Sequence, residues 1–236
     1  MITVLIPAYN EEKLILNCLE SLTQQVPAPD EVLVVDNAST DRTAELVTGF
    51  IEAHPQHNVR MIYEAEKGCH KARDTGWREA QGDVIVHVDA DETFPAGWMA
   101  EIHKQLAKSD DAVGALGGTI RFENAPFVIW LTQVLYNVFY PRAIRLFEGY
   151  PYLCGGMTIC KREVLEKMDG YRQKPDDQLD DYYLSTQAHK LGYKLRYVPS
   201  IYAIHSLRRY ESLGLMGWFR WGVAAMDTNL YDEDVR

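Results

Sequence analysis

Residues 83–92 read DVIVHVDADE. The run from Asp83 to Val88 is short, apolar and rich in β-branched residues, the signature of a buried strand, and it stops abruptly in Asp89, Asp91 and Glu92. The same arrangement recurs upstream. Ile2–Ile6, Glu31–Val35 and Val59–Tyr63 read as strands, and each is followed by an amphipathic stretch. From Asn10 the apolar residues Leu14, Ile15, Cys18, Leu19 and Leu22 recur at helical spacing; Arg42–Ala53 and Lys71–Ala80 read as further helices. Four strand-to-helix units in succession predict an α/β fold with a mainly parallel, doubly wound sheet, in which ligands sit at the carboxyl ends of the strands. That rule directs attention to the polar residues at 7–12, 36–41 and 89–92.

Downstream, a helix is expected over Gly97–Lys108 and a strand over Ala112–Phe122, after which the rhythm becomes irregular. Apolar residues crowd between Pro126 and Pro141, and Gly155-Gly156 marks a turn. Helices are expected near Lys161–Met168 and Leu179–Leu191, and two short strands, Leu195–Val198 and Ile201–Ile204, precede an aromatic tail. With 236 residues and 47% hydrophobic composition, one domain spanning 1–236 with one sizeable core is expected.

Lys and Arg number 24 against 34 Asp and Glu, a formal net charge of -10, which repels phosphate backbones and excludes nucleic acid as a partner. The same charge means that an anionic substrate needs a metal ion or a local cluster of cations. Cys18, Cys69, Cys154 and Cys160 form no C-x-x-C pair and read as reduced thiols of a cytoplasmic protein. The opening MITVLIPAYNEE lacks a basic start and reads as a strand rather than a signal peptide, and no apolar run reaches the roughly 20 residues of a spanning helix.

Asp89 and Asp91 are two residues apart at a strand end, where period-2 geometry can turn both carboxylates to one face. Such a pair suits Mg²⁺ or Mn²⁺, hard cations usually held by one or two carboxylates together with substrate phosphates. The ordinary alternative is a solvated loop or a helix cap.

The strings VLIPAYNEE (4–12), VLVVDNASTDRT (32–43), KGCHKARDTG (67–76), DVIVHVDADE (83–92) and LDDYYLSTQAHKLGY (179–193), with Gly155-Gly156 and KREVLEKMDGY (161–171), occur in an order that resembles the family 2, GT-A-fold inverting glycosyltransferases. The resemblance runs from residue 2 to about residue 209. It implies a nucleotide-binding half over about 1–95 and an irregular acceptor-side half over about 96–236. Pro7, Ala8 and Tyr9 then match the place where the nucleotide base packs, Asp36 the acid that bonds the base, and Arg73 the arginine that reaches the nucleotide. Asp89 and Asp91 match the metal and diphosphate motif, with Asp91 as direct ligand. Asp180 and Asp181 match an acidic pair, usually Glu-Asp, whose second member is the general base; here the first position is Asp, and Gln187 replaces a frequent arginine. His205 matches a histidine that approaches the metal or diphosphate, and Arg208 and Arg209 offer fixed cations for the charge of a leaving diphosphate.

Each residue also has a plainer reading: Asp36 as a turn acid, Tyr9 as a core residue, Arg73 in a surface pair, Asp180 and Asp181 as favoured helix N-terminal acids, and His205 as structural. Taken together, the motifs imply a metal-assisted single displacement that moves a sugar from a nucleotide diphosphate sugar to a hydroxyl, on a saccharide or lipid-linked acceptor, with Asp181 as base. The rival from another class is a noncatalytic nucleotide-sugar-binding subunit. No G-x-G-x-x-G follows the first strand, so a Rossmann dehydrogenase is excluded, and the Gly-rich basic loop of a nucleotidyltransferase is absent from PAYNEE. Finally, FVIWLTQVLYNVFY (127–140) carries Trp130, Tyr136 and Tyr140, and the tail adds Trp218, Phe219 and Trp221 beside Arg208, Arg209 and Arg220. Aromatics near arginines suit peripheral contact at the inner face of a membrane; packing on the sheet or on another subunit is the alternative, and the net charge opposes anionic lipid.

Overall fold

The computed structural model describes residues 1–207 apart from 123–124, 152, 154–155 and 176–177, and does not describe the side chains of 136 and 140–144. In chain order the elements are β1 (Ile2–Ala8), α1 (Ile15–Thr23), β2 (Glu31–Asp36), α2 (Thr43–Ala53), β3 (Val59–Tyr63), α3 (Cys69–Glu79), β4 (Val84–Val88), β5 (Glu92–Thr93), α4 (Trp98–Ala107), β6 (Val113–Phe122), α5 (Phe127–Glu148), β7 (Met157–Lys161), α6 (Arg162–Lys167), α7 (Asp180–Lys190) and β8 (Lys194–His205). All strands join one sheet in the order β3-β2-β1-β4-β7-β6-β8-β5.

The first four strands form the expected parallel block, β1 pairing β2 with Ala8 opposite Asp36, and β1 also pairing β4. Their carboxyl ends therefore share one edge. Beyond β4 the sheet is mixed: β7 runs antiparallel to both β4 and β6, while β8 runs parallel to β6 and antiparallel to β5. The half of the chain beyond residue 95 thus supplies three of the eight strands, including β7, which follows the glycine turn directly and does not stand out in sequence.

Alternation along the central strands feeds two hydrophobic layers. Val4, Ile6, Val34 and Val86 join Leu19, Leu22, Val47 and Ile102 on one side. Leu5, Leu33, Val35 and Ile85 join Ala72, Trp77, Leu165 and Leu184 on the other. β2 is buried along its entire length, as its uninterrupted apolar run predicts for a strand covered on both faces. Gly76 brings α3 against this sheet: a Cβ there would collide with Leu5 and with Val35.

Two elements differ from expectation for identifiable reasons. Residues 11–14 form a turn and α1 begins at Ile15, because the backbone N–H groups of Asn10, Glu11 and Glu12 donate to Ser39 Oγ, Thr43 Oγ1 and Asp41 Oδ2. The loop after β2 holds the end of β1 away from helix geometry, and Asn10 takes φ 55°. The two short strands expected near the end are one, β8, whose register against β6 shifts between Gly117–Tyr197 and Thr119–Tyr202. Pro199, which has no N–H for a ladder, falls in that shift.

Glu31 anchors the amino-terminal end of the parallel block. Its carboxylate is fully buried and accepts from Thr3 Oγ1 at 2.6 Å, Gln81 N at 2.8 Å, and Arg60 Nε and Nη2 at 2.8 and 2.6 Å. Burial opposes its ionisation, but these hydrogen bonds and the Arg60 charge hold its pKa below the ordinary 4.5. Glu31→Ala is expected to cost about 2–4 kcal/mol, since buried donors lose their acceptor. Because the folded pKa is lowered, this contribution is present above about pH 4.5 and fades as pH falls through the lowered value. Urea titrations at neutral pH and near pH 3 should show the gap between wild type and variant closing in acid.

Candidate active site

The site gathers at the carboxyl edge of the parallel block. β4 ends at Val88, and the chain then turns back on itself: Glu92 N donates to Asp89 O at 3.3 Å, and Asp89 N donates to Glu92 Oε2 at 3.1 Å. The turn brings Asp89 and Glu92 together, and β5 then pairs Glu92 with His205 of β8. Ligand atoms of Asp89, Glu92 and His205 lie within 4.8 Å of one another. Asp91 joins through His205, its Oδ2 standing 3.5 Å from Nε2, and accepts from Ser206 Oγ at 3.2 Å.

One carboxylate oxygen of this group, Glu92 Oε1, is buried without a hydrogen-bond partner. Burial pushes the Glu92 pKa up to about 8 despite the approach of His205, and the neighbouring Asp89 charge adds to the rise. Burial also works against a charged His205, but Glu92, Asp91 and Asp89 outweigh it and raise its pKa to about 9. Glu92 Oε1 stands 3.6 Å from His205 Nδ1, an ion-pair distance longer than a hydrogen bond. Gly156 leaves the space beside the acids open: a Cβ there would come within 2.5 Å of Glu92 Oε1 and 3.0 Å of Asp89 Oδ2. An orphaned buried oxygen, two converging carboxylates, an imidazole and an open flank fit a divalent cation.

Arg73 ties this group to the second half of the chain. It projects from the first turns of α3, is buried, and donates through Nη2 to Asp89 Oδ1 at 3.0 Å and through Nη1 to Asp180 Oδ2 at 2.7 Å. Its Nε is buried and makes no hydrogen bond. Asp180 also faces Lys174 Nζ at 3.4 Å, and Lys174, itself buried, donates to the carbonyls of Pro175 and Gln178 at 2.8 and 2.5 Å. Two cations thus claim Asp180. Its neighbour Asp181, partly exposed in the first turn of α7, accepts from Tyr182 N at 2.8 Å. Behind Arg73, burial and that guanidinium push the His87 pKa down to about 3, and both of its ring nitrogens lack partners. It is a neutral core imidazole.

The remaining expected residues occupy the neighbouring strand ends. Pro7 and Ala8 close β1, and Tyr9 follows, 41% exposed, with Lys67 Nζ donating to its hydroxyl at 2.9 Å and standing 4.8 Å from the ring centroid. Asp36 is buried at the end of β2, where its Oδ1 accepts from Ser39 N at 3.3 Å. Next to it, Asn37 donates to the carbonyls of Glu64 and Glu66 and accepts from Gly68 N, which fixes the loop that carries Lys67 into α3. Arg208 and Arg209 lie outside the described residues, as does the aromatic tail.

Sequence reasoning misses Glu92, Ser206, Lys67 and Lys174. For Glu92 the signal is present in DADE, but choosing it requires the end of β4. The other three acquire meaning only through pairings across the fold.

The fold and the acidic strand-end cluster define a GT-A nucleotide-sugar transferase architecture. Residues 3–169 match the model of glycosyl transferase family 2, and the chain belongs to that family. It is 30% identical over 213 residues to a probable glycosyltransferase, YdaM, of Bacillus subtilis, covering 84% of this chain and 49% of the relative. It is 31% identical over 118 residues to the undecaprenyl-phosphate 4-deoxy-4-formamido-L-arabinose transferase of Pectobacterium carotovorum, covering 49% of this chain and 36% of that one. Among solved structures, a mannosyltransferase of Pyrobaculum calidifontis in complex with GDP-Man and Mn²⁺ superposes with a TM-score of 0.70 at 28% identity, over 98% of this chain and 69% of that one. The chain spans half or less of the length of these curated relatives.

Proposed function

We propose that this chain transfers a sugar from a nucleotide diphosphate sugar to a hydroxyl acceptor in one displacement, with inversion at the anomeric carbon. The observation that carries this reading is the bridge made by Arg73: one buried guanidinium joins Asp89, at the strand end expected to meet the donor, to Asp180, beside the acid expected to meet the acceptor. Donor and acceptor sides thereby meet at one point within a single domain over 1–236, divided near residue 95.

On the donor side, Tyr9 offers a ring face for the base, with Pro7 and Ala8 beneath it and Asp36 to accept from it. Arg73 offers its guanidinium to the nucleotide. Asp89, Glu92 and His205, with Asp91 beside them, would hold Mn²⁺ or Mg²⁺; when bound, such an ion offsets the charge on the diphosphate. Arg208 and Arg209 are proposed as further cations for that group. On the acceptor side, the hydroxyl oxygen forms its bond to the anomeric carbon while Asp181 takes the hydroxyl proton. The bond from that carbon to the diphosphate oxygen breaks, and its electron pair leaves with the diphosphate. No covalent intermediate with the protein is needed.

The bound GDP-Man and Mn²⁺ of the Pyrobaculum enzyme support a metal-dependent nucleotide donor, and the name of the Pectobacterium enzyme supports a lipid-linked acceptor. We place the protein in the cytoplasm, at the inner face of a membrane. A thermal-shift panel of UDP, GDP and TDP with their sugars tests the reading, because a ligand that binds only the folded state raises its apparent stability. One nucleotide series should stabilise the protein with Mn²⁺ and much less without it; no response to any would overturn the reading. Release of nucleoside diphosphate from the stabilising donor separates a transferase from a noncatalytic binder.

A further inference from the structure

Helix α5 is turned inside out. Gln133 Nε2 and Asn137 Nδ2 point to the sheet and donate to Ile120 O of β6 at 2.6 and 3.3 Å, and Tyr197 of β8 donates to Asn137 O at 3.3 Å. Ile129 is the apolar residue of this stretch that is fully buried. The outward face presents Phe127, Val128, Leu131, Leu135, Val138 and Phe139, which are 39–70% exposed. A helix that packs on its own core shows the reverse pattern, and a continuous exposed apolar stripe of this kind marks an interaction surface. The helix thus meets the sheet through polar side chains and leaves most of its apolar residues outside that contact.

We propose that this stripe docks on the surface of a phospholipid bilayer containing anionic lipid, with α5 lying at the boundary between headgroups and acyl chains. Charge selects this occupant. Helix α5 carries Arg142 and Arg145 against the single carboxylate of Glu148 at its last position, a small positive balance in a chain whose net charge is -10. The acidic excess that opposes anionic lipid is therefore absent from the one segment that would touch it. From Phe127 to Pro141 there is no charged residue, and Trp130, 49% exposed, stands at the flank of the stripe, where an amphipathic ring can meet the headgroup level. No helix among the described residues is long and apolar enough to cross a membrane, so α5 lies on the bilayer.

The stripe also begins beside the site. Phe122, at the end of β6, pairs in register with His205, and their rings meet edge to face at 5.7 Å; α5 starts at Phe127. A hydroxyl or phosphate acceptor carried on a membrane lipid would thus present itself next to the acidic cluster. That consequence rests on the transferase reading, whereas the docking does not.

The full chain should co-sediment with phosphatidylcholine–phosphatidylglycerol vesicles and much less with phosphatidylcholine alone. Leu135→Asp/Val138→Asp should lower the partition coefficient by about tenfold or more without changing thermal unfolding, since both side chains lie on the outward face, 46% and 40% exposed. Trp130→Ser should act in the same direction and decides the matter if the double variant does not fold. Wild type left in the supernatant, variants that pellet like wild type, or a dimer in sedimentation velocity that the same substitutions dissolve would each overturn the proposal. The vesicles carry neither donor nor acceptor, so failure here leaves the transfer reaction untouched, and failure of transfer to a soluble acceptor leaves the docking untouched.

Discussion

Asp181→Asn is expected to reduce transfer by about 10²–10⁴-fold while donor affinity stays within a few-fold of wild type. An amide keeps the shape of the carboxylate but cannot take a proton at neutral pH. The contacts of Asp180 are the reason for proposing the second acid of the pair for this role. Asp180 is held by Arg73 at 2.7 Å and faces Lys174 at 3.4 Å, so protonating it would forfeit two ionic contacts. Asp181 follows at the exposed side of the same helix turn. Asp180→Asn should instead loosen Arg73 and appear mainly in donor binding. Single-turnover kinetics separates the two, with the Asp181 variant slow in the chemical step and the Asp180 variant weak in binding. Near-normal turnover by Asp181→Asn would make that carboxylate structural.

Glu92→Gln is expected to weaken Mn²⁺-dependent binding of nucleoside diphosphate by about 100-fold or more, a loss in line with removal of a buried ligand and its neighbours' orientation. Without metal, the same variant should be as stable as wild type or more so. The reason is the sign of its titration: burial raises the Glu92 pKa to about 8, which means that its charged form is disfavoured in the fold, and an uncharged amide removes that cost. Thermal unfolding with and without Mn²⁺ should therefore show the variant losing metal-induced stabilisation while keeping or gaining intrinsic stability. Asp91→Ala should also remove metal-dependent binding, because Asp91 stands beside His205. Unchanged calorimetric titrations in both variants would remove the cation from the account.

Much of the donor half is legible in sequence because its signals are local. The EVLVVD strand of β2 declares burial on both faces by its uninterrupted apolar run, and Arg42–Ala53 and Lys71–Ala80 fall within a residue or two of α2 and α3. What is not legible depends on contacts between distant segments. Glu92 enters the site because β4 stops at Val88 and β5 pairs with His205, a partner 113 positions away that no periodicity announces. The Arg73–Asp180 ion pair spans 107 positions in the same way. The stretch 127–140 reads as apolar and aromatic, yet only the bonds from Gln133 and Asn137 to Ile120 reveal which face points outward. No helix is assigned to the crowded stretch between Pro126 and Pro141 from sequence, yet α5 runs through it from Phe127 to Glu148.

The measurement that bears most directly on the central claim is proton NMR of the isolated glycoside product, made with a donor sugar of known anomeric configuration and Mn²⁺ present. A single displacement at Asp181 requires the new glycosidic bond to have the opposite configuration to the donor, with nucleoside diphosphate released in equal amount. A product that retains the donor configuration would contradict the account.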